Sequence, residues 1–190
     1  MTHVQGAQLR PAVFLDRDDT LIANREVTAG TPYPGDLFDP ELVKLLPGVG
    51  EGLSALKRAG FALVVVSNQG AVARGRCTIA QVEATNARMR DAIRSAADVE
   101  LDAVYFCPYH PRGAAAPFDV EHAWRKPAPG MILHAAGEFG LDLSRSWMIG
   151  DAARDIEAAV NAGIAPERAL LVGEDLDFPG AVRHVLGASG

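Results

Sequence analysis

Two aspartates, Asp16 and Asp18, close the apolar run Ala12 to Leu15 in the stretch AVFLDRDDTLI. In extended backbone, residues i and i+2 project to the same side, so both carboxylates can face one small volume. Such a pair suits a cation and a phosphate. Three later segments carry complementary groups in chain order. VVVSNQG offers the hydroxyl of Ser67, WRKPAPGM the ammonium of Lys126, and WMIGDAARD the carboxylates of Asp151 and Asp155. Taken singly, each has a bland reading: an acidic turn or cap, a turn serine, a solvated lysine, a helix-start charge for Asp155. Their combination points to a single site.

The elements that must position these groups are short runs rich in valine, leucine and isoleucine: AVFL, FALVVV, DAVYF, SWMIG and ALLVG. Each has the length of a strand buried on both faces. Helical patterns lie between them. Val49 to Ala59 carries Leu53 and Leu56 on one face and stops at Gly60, a residue suited to a left-handed cap. Thr78 to Ala97 opens with Thr78 and Gln81 in capping-box spacing, with Ile79, Val82, Met89 and Ile93 as its apolar stripe. Pro129 to Phe139 and Ala152 to Ala162 complete the set. Alternation of strand and helix predicts parallel pairing through right-handed crossovers, hence a three-layer α/β/α sandwich of Rossmann-like type. Ligands in such folds bind at the carboxyl ends of the strands, where all four polar motifs fall. Two proline- and glycine-rich excursions interrupt the pattern, a flap over about 24–47 and a loop over 107–125.

The 190 residues suffice for one well-filled core, so a single domain over 1–190 with a minimal cap of flap and loop is expected. Hydrophobic content of 48 % with 22 % charged residues is that of a globular chain. A net charge of −6 with no lysine or arginine run gives no nucleic-acid footprint, so the expected partner is a small phosphorylated metabolite. No apolar run reaches membrane-spanning length, and the opening MTHVQGAQLRPA lacks the apolar core of a signal peptide. Two cysteines, Cys77 and Cys107, suit a reducing compartment. The expectation is a cytoplasmic, monomeric protein.

The motif set resembles the haloacid dehalogenase (HAD) superfamily of phosphatases over nearly the whole chain. The longer strings GFALVVVSNQGAVARG and LDAVYFCPYHPRG, followed by RKPAPGM, are similar to its D-glycero-D-manno-heptose 1,7-bisphosphate phosphatase and histidinol-phosphatase branch. The resemblance implies that Asp16 is the nucleophile, forming an aspartyl-phosphate, and that Asp18 is the general acid/base. It implies Mg²⁺ held by Asp16, the backbone carbonyl of Asp18, and Asp151, with Asp155 in support. Ser67 and the backbone amides of Asn68, Gln69 and Gly70 would bind the phosphoryl oxygens, and Lys126 would neutralise their charge. Arg125 would contact substrate, as would Asn68. A heptose 1,7-bisphosphate cleaved at the 7-phosphate is the first substrate implied; histidinol phosphate and other sugar phosphates follow.

The sequence departs from that family in three regions. Asp19 stands where glycine is usual, and the expectation is that the turn tolerates a short polar side chain. Relatives that bind zinc have four ligands where this chain has Cys107, Tyr109, His122 and Trp124; with His110 nearby, only three possible ligands remain, so no zinc is expected. Trp124 and Tyr109 are expected to pack the loop instead. Ala152 replaces a lysine common in bisphosphate-specific relatives. Rivals from other classes are a receiver-type signalling domain and a catalytically silent phosphate binder. The first needs an aspartate at the end of a later strand, whereas FALVVV ends in Ser67 and DAVYF in Cys107. The second is disfavoured because both Asp16 and Asp18 are present.

Overall fold

A computed structural model of the chain describes residues 9–188. Of the opening stretch discussed above, residues 1–8 lie outside that range. Five strands form one all-parallel sheet: β1 (Ala12–Leu15), β2 (Ala62–Asn68), β3 (Ala103–Cys107), β4 (Trp147–Gly150) and β5 (Ala169–Leu171), in the order β3-β2-β1-β4-β5. These are the five runs read from sequence. The chain moves outward from β1 to β2 and β3, then returns to the other side of β1 for β4 and β5, so the winding direction reverses between β1 and β4. Leu15 pairs with Val65 on one side and Ile149 on the other. That register brings the residues following all three strands to one edge of the sheet.

Alternation along the central strands sorts two cores. Val13, Leu15, Leu63, Val65, Trp147 and Ile149 face a cluster containing Leu53 and Leu56 of α2 (Val49–Arg58) and Met89 and Ile93 of α3 (Ile79–Ala97). Ala12, Phe14, Val64, Val66 and Met148 face the opposite cluster, with Met131, Ile132 and Ala135 of α4 (Gly130–Phe139) and Ala158 and Ala159 of α5 (Ala153–Asn161). Both faces of the sheet are therefore covered, as a parallel sheet requires. The Thr78–Gln81 capping box forms as expected, and Gly60 takes a positive φ of 89° after α2.

The structure adds two helices to those expected. The flap contains a five-residue helix, α1 (Asn24–Thr28), and a 3₁₀ turn over Pro40–Leu42. The C-terminal α6 (Phe178–Gly187) starts at an Asp177 cap and buries Phe178, Ala181, Val182 and Val185 against the α2 side of the core. Among the described residues, no helix is long and apolar enough to cross a membrane.

At the opposite end of the sheet from the polar motifs, Asp102 ties the frame together. Its carboxylate accepts from the backbone N–H of Leu63 at 2.8 Å, from Lys57 at 2.6 Å and from Arg10 at 2.9 Å. Burial opposes the charge, but these donors outweigh it and hold the carboxyl below its usual range. The contribution to stability is therefore complete above the unfolded-state value near pH ~4 and is lost as pH falls through the depressed one. Asp102→Ala leaves the Leu63 N–H unpaired and should cost about 1–3 kcal/mol in denaturant unfolding at pH 7, with the difference from wild type shrinking in acid.

Candidate active site

The chain emerging from β1 places Asp16 at the sheet edge, with its N–H bonded to the Ile149 carbonyl of the neighbouring strand at 2.9 Å. Its carboxylate meets Lys126, whose side chain is 1 % exposed. The Lys126 ammonium is 2.6 Å from Asp16 Oδ1, 2.7 Å from the Val66 carbonyl and 2.7 Å from Asp155 Oδ1. Burial works against the ammonium, yet the Asp16 and Asp155 carboxylates outweigh it and raise its pKa. Asn68 fixes the lysine's backbone: its amide nitrogen donates to the Lys126 carbonyl and its amide oxygen accepts from the Lys126 N–H, at 2.9 and 3.0 Å. The Asn68 side chain, expected at the substrate, is engaged in holding Lys126.

Asp155 sits in the first turn of α5, fully buried, and its second oxygen accepts from the Ala152 N–H at 3.0 Å. Gly150 makes this possible, because a Cβ there would lie 2.5 Å from the Asp155 Cβ. Carboxylate oxygens of Asp16, Asp151 and Asp155 lie within 4.8 Å of one another. Asp151 Oδ2 pairs with Arg25 of the flap at 2.6 Å, while its buried Oδ1 has no hydrogen-bond partner. Burial, reinforced by the charges of Asp16 and Asp155 and only partly offset by Arg25, pushes the Asp151 carboxyl up to about 6. Crowded hard oxygen donors with an unpartnered buried oxygen fit a divalent cation of the Mg²⁺ type.

Asp18 is gripped from two sides. Arg17 donates to it through Nε and Nη2, and Gln69 Nε2 donates to Oδ2 at 2.8 Å. The same Gln69 amide donates to Ser67 Oγ at 2.8 Å, which leaves the serine proton available to another acceptor. Burial raises the Asp18 carboxyl against the opposing pull of Arg17. The Gln69 backbone N–H donates to the Cys107 carbonyl at 2.8 Å, continuing the sheet ladder. This corrects the expectation that it faces a phosphate. Asp19 occupies the left-handed region at φ 54°, and its side chain accepts from the Arg25 N–H at 2.9 Å at the start of α1. The turn thus tolerates aspartate in place of glycine and uses its carboxylate.

Gly70 lies buried two residues beyond the end of β2. A Cβ there would lie 3.1 Å from Arg74 Nη1 and His110 Cδ2 and 3.4 Å from Arg125 Nη1, so three cationic or protonatable side chains converge on it. Arg125 is braced by the Tyr109 carbonyl at 3.1 Å. Burial and the neighbouring Arg125 and Arg74 lower the His110 pKa. Beyond them, His122 stacks on Tyr109 at 4.1 Å and Trp124 meets Tyr105 edge-on at 5.8 Å, so aromatic packing organises the 107–125 loop. His110 Nδ1 accepts from Arg112 N–H and His122 Nδ1 from Trp124 N–H, while the buried Cys107 thiol lies 3.9 Å from the Tyr109 carbonyl.

Sequence reasoning missed Arg17, Arg25 and the side-chain role of Gln69. A signal existed for Arg17, since a residue between two site-facing carboxylates must point inward against the core, where a guanidinium needs partners. Nothing local marked Arg25, which reaches Asp151 across 126 positions of sequence.

A family model described as HAD-hyrolase-like matches residues 123–177. The chain is 39 % identical over 166 residues to the D-glycero-beta-D-manno-heptose-1,7-bisphosphate 7-phosphatase of Escherichia coli (strain K12), covering 87 % of this chain and 82 % of that protein. It is 43 % identical over 157 residues to the D-glycero-D-manno-heptose-1,7-bisphosphate 7-phosphatase of Thermosynechococcus vestitus, covering 81 % and 76 %. Among solved structures it resembles the D,D-heptose 1,7-bisphosphate phosphatase of B. bronchiseptica complexed with magnesium and phosphate. That match has a TM-score of 0.70 and 29 % identity, and covers 95 % of this chain and 87 % of the other. The fold and site thus define a HAD-type phosphatase. Within that class, the chain belongs to the family of these heptose bisphosphate phosphatases.

The raised Asp151 carboxyl gives a signed prediction. Its folded-state pKa of about 6 exceeds the unfolded value of 3.8, so the folded state binds the proton more tightly. Metal-free protein should therefore gain stability as pH falls from about 7 towards 4. Asp151→Asn should raise the Tm of EDTA-treated protein at pH 7 and flatten that pH dependence relative to wild type. It should also abolish the Tm rise that Mg²⁺ gives wild type, as read by thermal denaturation.

Proposed function

We propose that this chain is a Mg²⁺-dependent phosphomonoester hydrolase that works through an aspartyl-phosphate on Asp16. The observation that carries this reading is the buried Asp16–Lys126–Asp155 chain set beside Asp151 and Asp18 at one edge of the sheet. Asp16, the Asp18 backbone carbonyl and Asp151 would hold the cation, with Asp155 in support. When bound, the cation offsets the repulsion between carboxylate and phosphate and stabilises charge on the transferring group.

The chain's own residues do the rest. Asp16 attacks phosphorus, and Asp18 protonates the departing sugar oxygen as the P–O bond breaks. Asp18 then takes a proton from the water that attacks the aspartyl-phosphate, releasing phosphate and restoring Asp16. The Lys126 ammonium holds the nucleophile in line and faces charge spreading over the phosphoryl oxygens. Ser67 donates its free hydroxyl proton to one of those oxygens. Gly70, lacking a side chain, lets the phosphate approach.

The proposed substrate is a heptose 1,7-bisphosphate cleaved at the 7-phosphate. Two things support it: the names of the relatives at 39 % and 43 % identity, and the Arg74, Arg125 and His110 side chains around Gly70, which suit a doubly phosphorylated sugar. We propose further that residues 1–190 form one monomeric, cytoplasmic unit, and that the aromatic 107–125 loop stands without zinc.

The test is phosphate release with Mg²⁺ and with EDTA from both heptose 1,7-bisphosphate anomers, histidinol phosphate and a panel of sugar phosphates. Mg²⁺-dependent release is expected to be fastest from a heptose bisphosphate and to fall by roughly a thousandfold or more in Asp16→Asn. Release that persists in Asp16→Asn, or that survives EDTA, overturns the mechanism. Preference for a monophosphate overturns the substrate. Metal analysis of the same preparation should find no stoichiometric zinc.

A further inference from the structure

Among the described residues, Arg17 is the largest charged side chain fully removed from solvent, at 0 % exposure. A buried guanidinium is expensive, and an apolar residue of similar volume often packs at least as well, so stability alone does not account for it. Its contacts do. Nε and Nη2 donate to Asp18 Oδ1 at 3.0 and 2.9 Å, and Nη2 lies 3.1 Å from Asp18 Oδ2. Nη1 donates to the Asn86 side-chain oxygen on α3 at 3.0 Å, and Nη2 also donates to the Leu37 carbonyl in the flap at 2.8 Å. Asn86 is 7 % exposed and Leu37 1 %, so both anchors are rigidly packed.

Arg17 therefore reaches both oxygens of Asp18, and the Gln69 amide holds Oδ2 from the other side at 2.8 Å. We propose that Arg17 is a positioning residue that locks the Asp18 carboxyl in one rotamer and anchors that setting to the flap at Leu37 and to α3 at Asn86. The inference rests on the phosphatase reading above, with Asp18 as general acid. As the P–O bond breaks, the held carboxyl gives its proton to the leaving oxygen, and in the second half-reaction it recovers one from the attacking water.

Leaving-group dependence tests this. An alkyl phosphate needs a proton on its departing oxygen, whereas p-nitrophenolate leaves from p-nitrophenyl phosphate without one. kcat/KM reports the steps through leaving-group departure. Arg17→Met should lower kcat/KM for an alkyl sugar phosphate roughly 30-fold to 100-fold and for p-nitrophenyl phosphate less than about threefold. Arg17→Lys, which keeps the charge but loses the planar fork, should share the selective loss. With p-nitrophenyl phosphate, kcat should fall more than kcat/KM as the aspartyl-phosphate waits for its base, and acid-quenched protein should retain more covalent phosphate.

Asn86→Ala frees one end of the guanidinium without touching Asp18. It should show the same selectivity at roughly a fivefold loss, and it decides the matter if the Arg17 variants do not fold. Equal losses on both substrates, or an undiminished rate on the alkyl phosphate, would overturn the positioning role while leaving the phosphatase reading intact. Failure of wild-type protein to release phosphate from either compound overturns both.

Discussion

The Lys126 ammonium, held out of water between the carboxylates of Asp16 and Asp155, is the interaction on which the rest of the site depends. Four aspartates meet at the ends of β1 and β4, and without compensation their repulsion would push apart the strand ends that carry them. Lys126 balances Asp16 and Asp155, Arg17 balances Asp18, and Arg25 balances one oxygen of Asp151. The other Asp151 oxygen has no hydrogen-bond partner, and burial raises that carboxyl, so a cation fits there. Removing one partner from such a buried group leaves a charge with no solvent to take it, which is why single changes there act strongly.

The sheet supplies this arrangement through its winding order. Because β4 returns to the opposite side of β1 from β2, the segments after these three strands sit side by side at the same edge. Small residues and specific clamps then set the details. Gly150 gives Asp155 room to tuck against the strand end, and Asn68 fixes the peptide of Lys126 through two reciprocal hydrogen bonds. These contacts join residues far apart in sequence, so the site is rigid only because the core beneath it is.

Among the described residues, two irregular segments, the flap and the 107–125 loop, border the site. The flap is tied down at Asp36, which pairs with Arg74 at 2.7 Å and Arg76 at 2.6 Å, and at Leu37, whose carbonyl accepts from Arg17. Arg74 thereby belongs both to the flap's attachment and to the cationic surround of Gly70. The second segment is braced by stacking of His122 on Tyr109, by edge contacts of Tyr105 with Trp124 and His134, and by a tilted contact between Trp124 and His134. Aromatic packing of this kind orders a loop through buried area and ring geometry, and it holds Tyr109 where its carbonyl can brace Arg125.

By itself the sequence determined the five strands, four of the helices, their parallel pairing, and the identity of Asp16, Asp18, Ser67, Lys126, Asp151 and Asp155 as groups gathered at one end. These follow from local patterns, since apolar runs, cap spacing and the punctuation of glycine and proline act over a few residues. Tertiary structure alone decided how each group is used. It tied the Asn68 side chain to the Lys126 backbone, gave the Gln69 N–H to the Cys107 carbonyl, gave the Arg25 N–H to the Asp19 carboxylate, and brought Arg25 to Asp151. Arg17 is the clearest case. The sequence places it between two carboxylates, but only folding closes α3 and the flap over it and strips away its water. A hydrogen bond partner is a matter of distance in space and access to solvent, and neither is set until the whole core has formed.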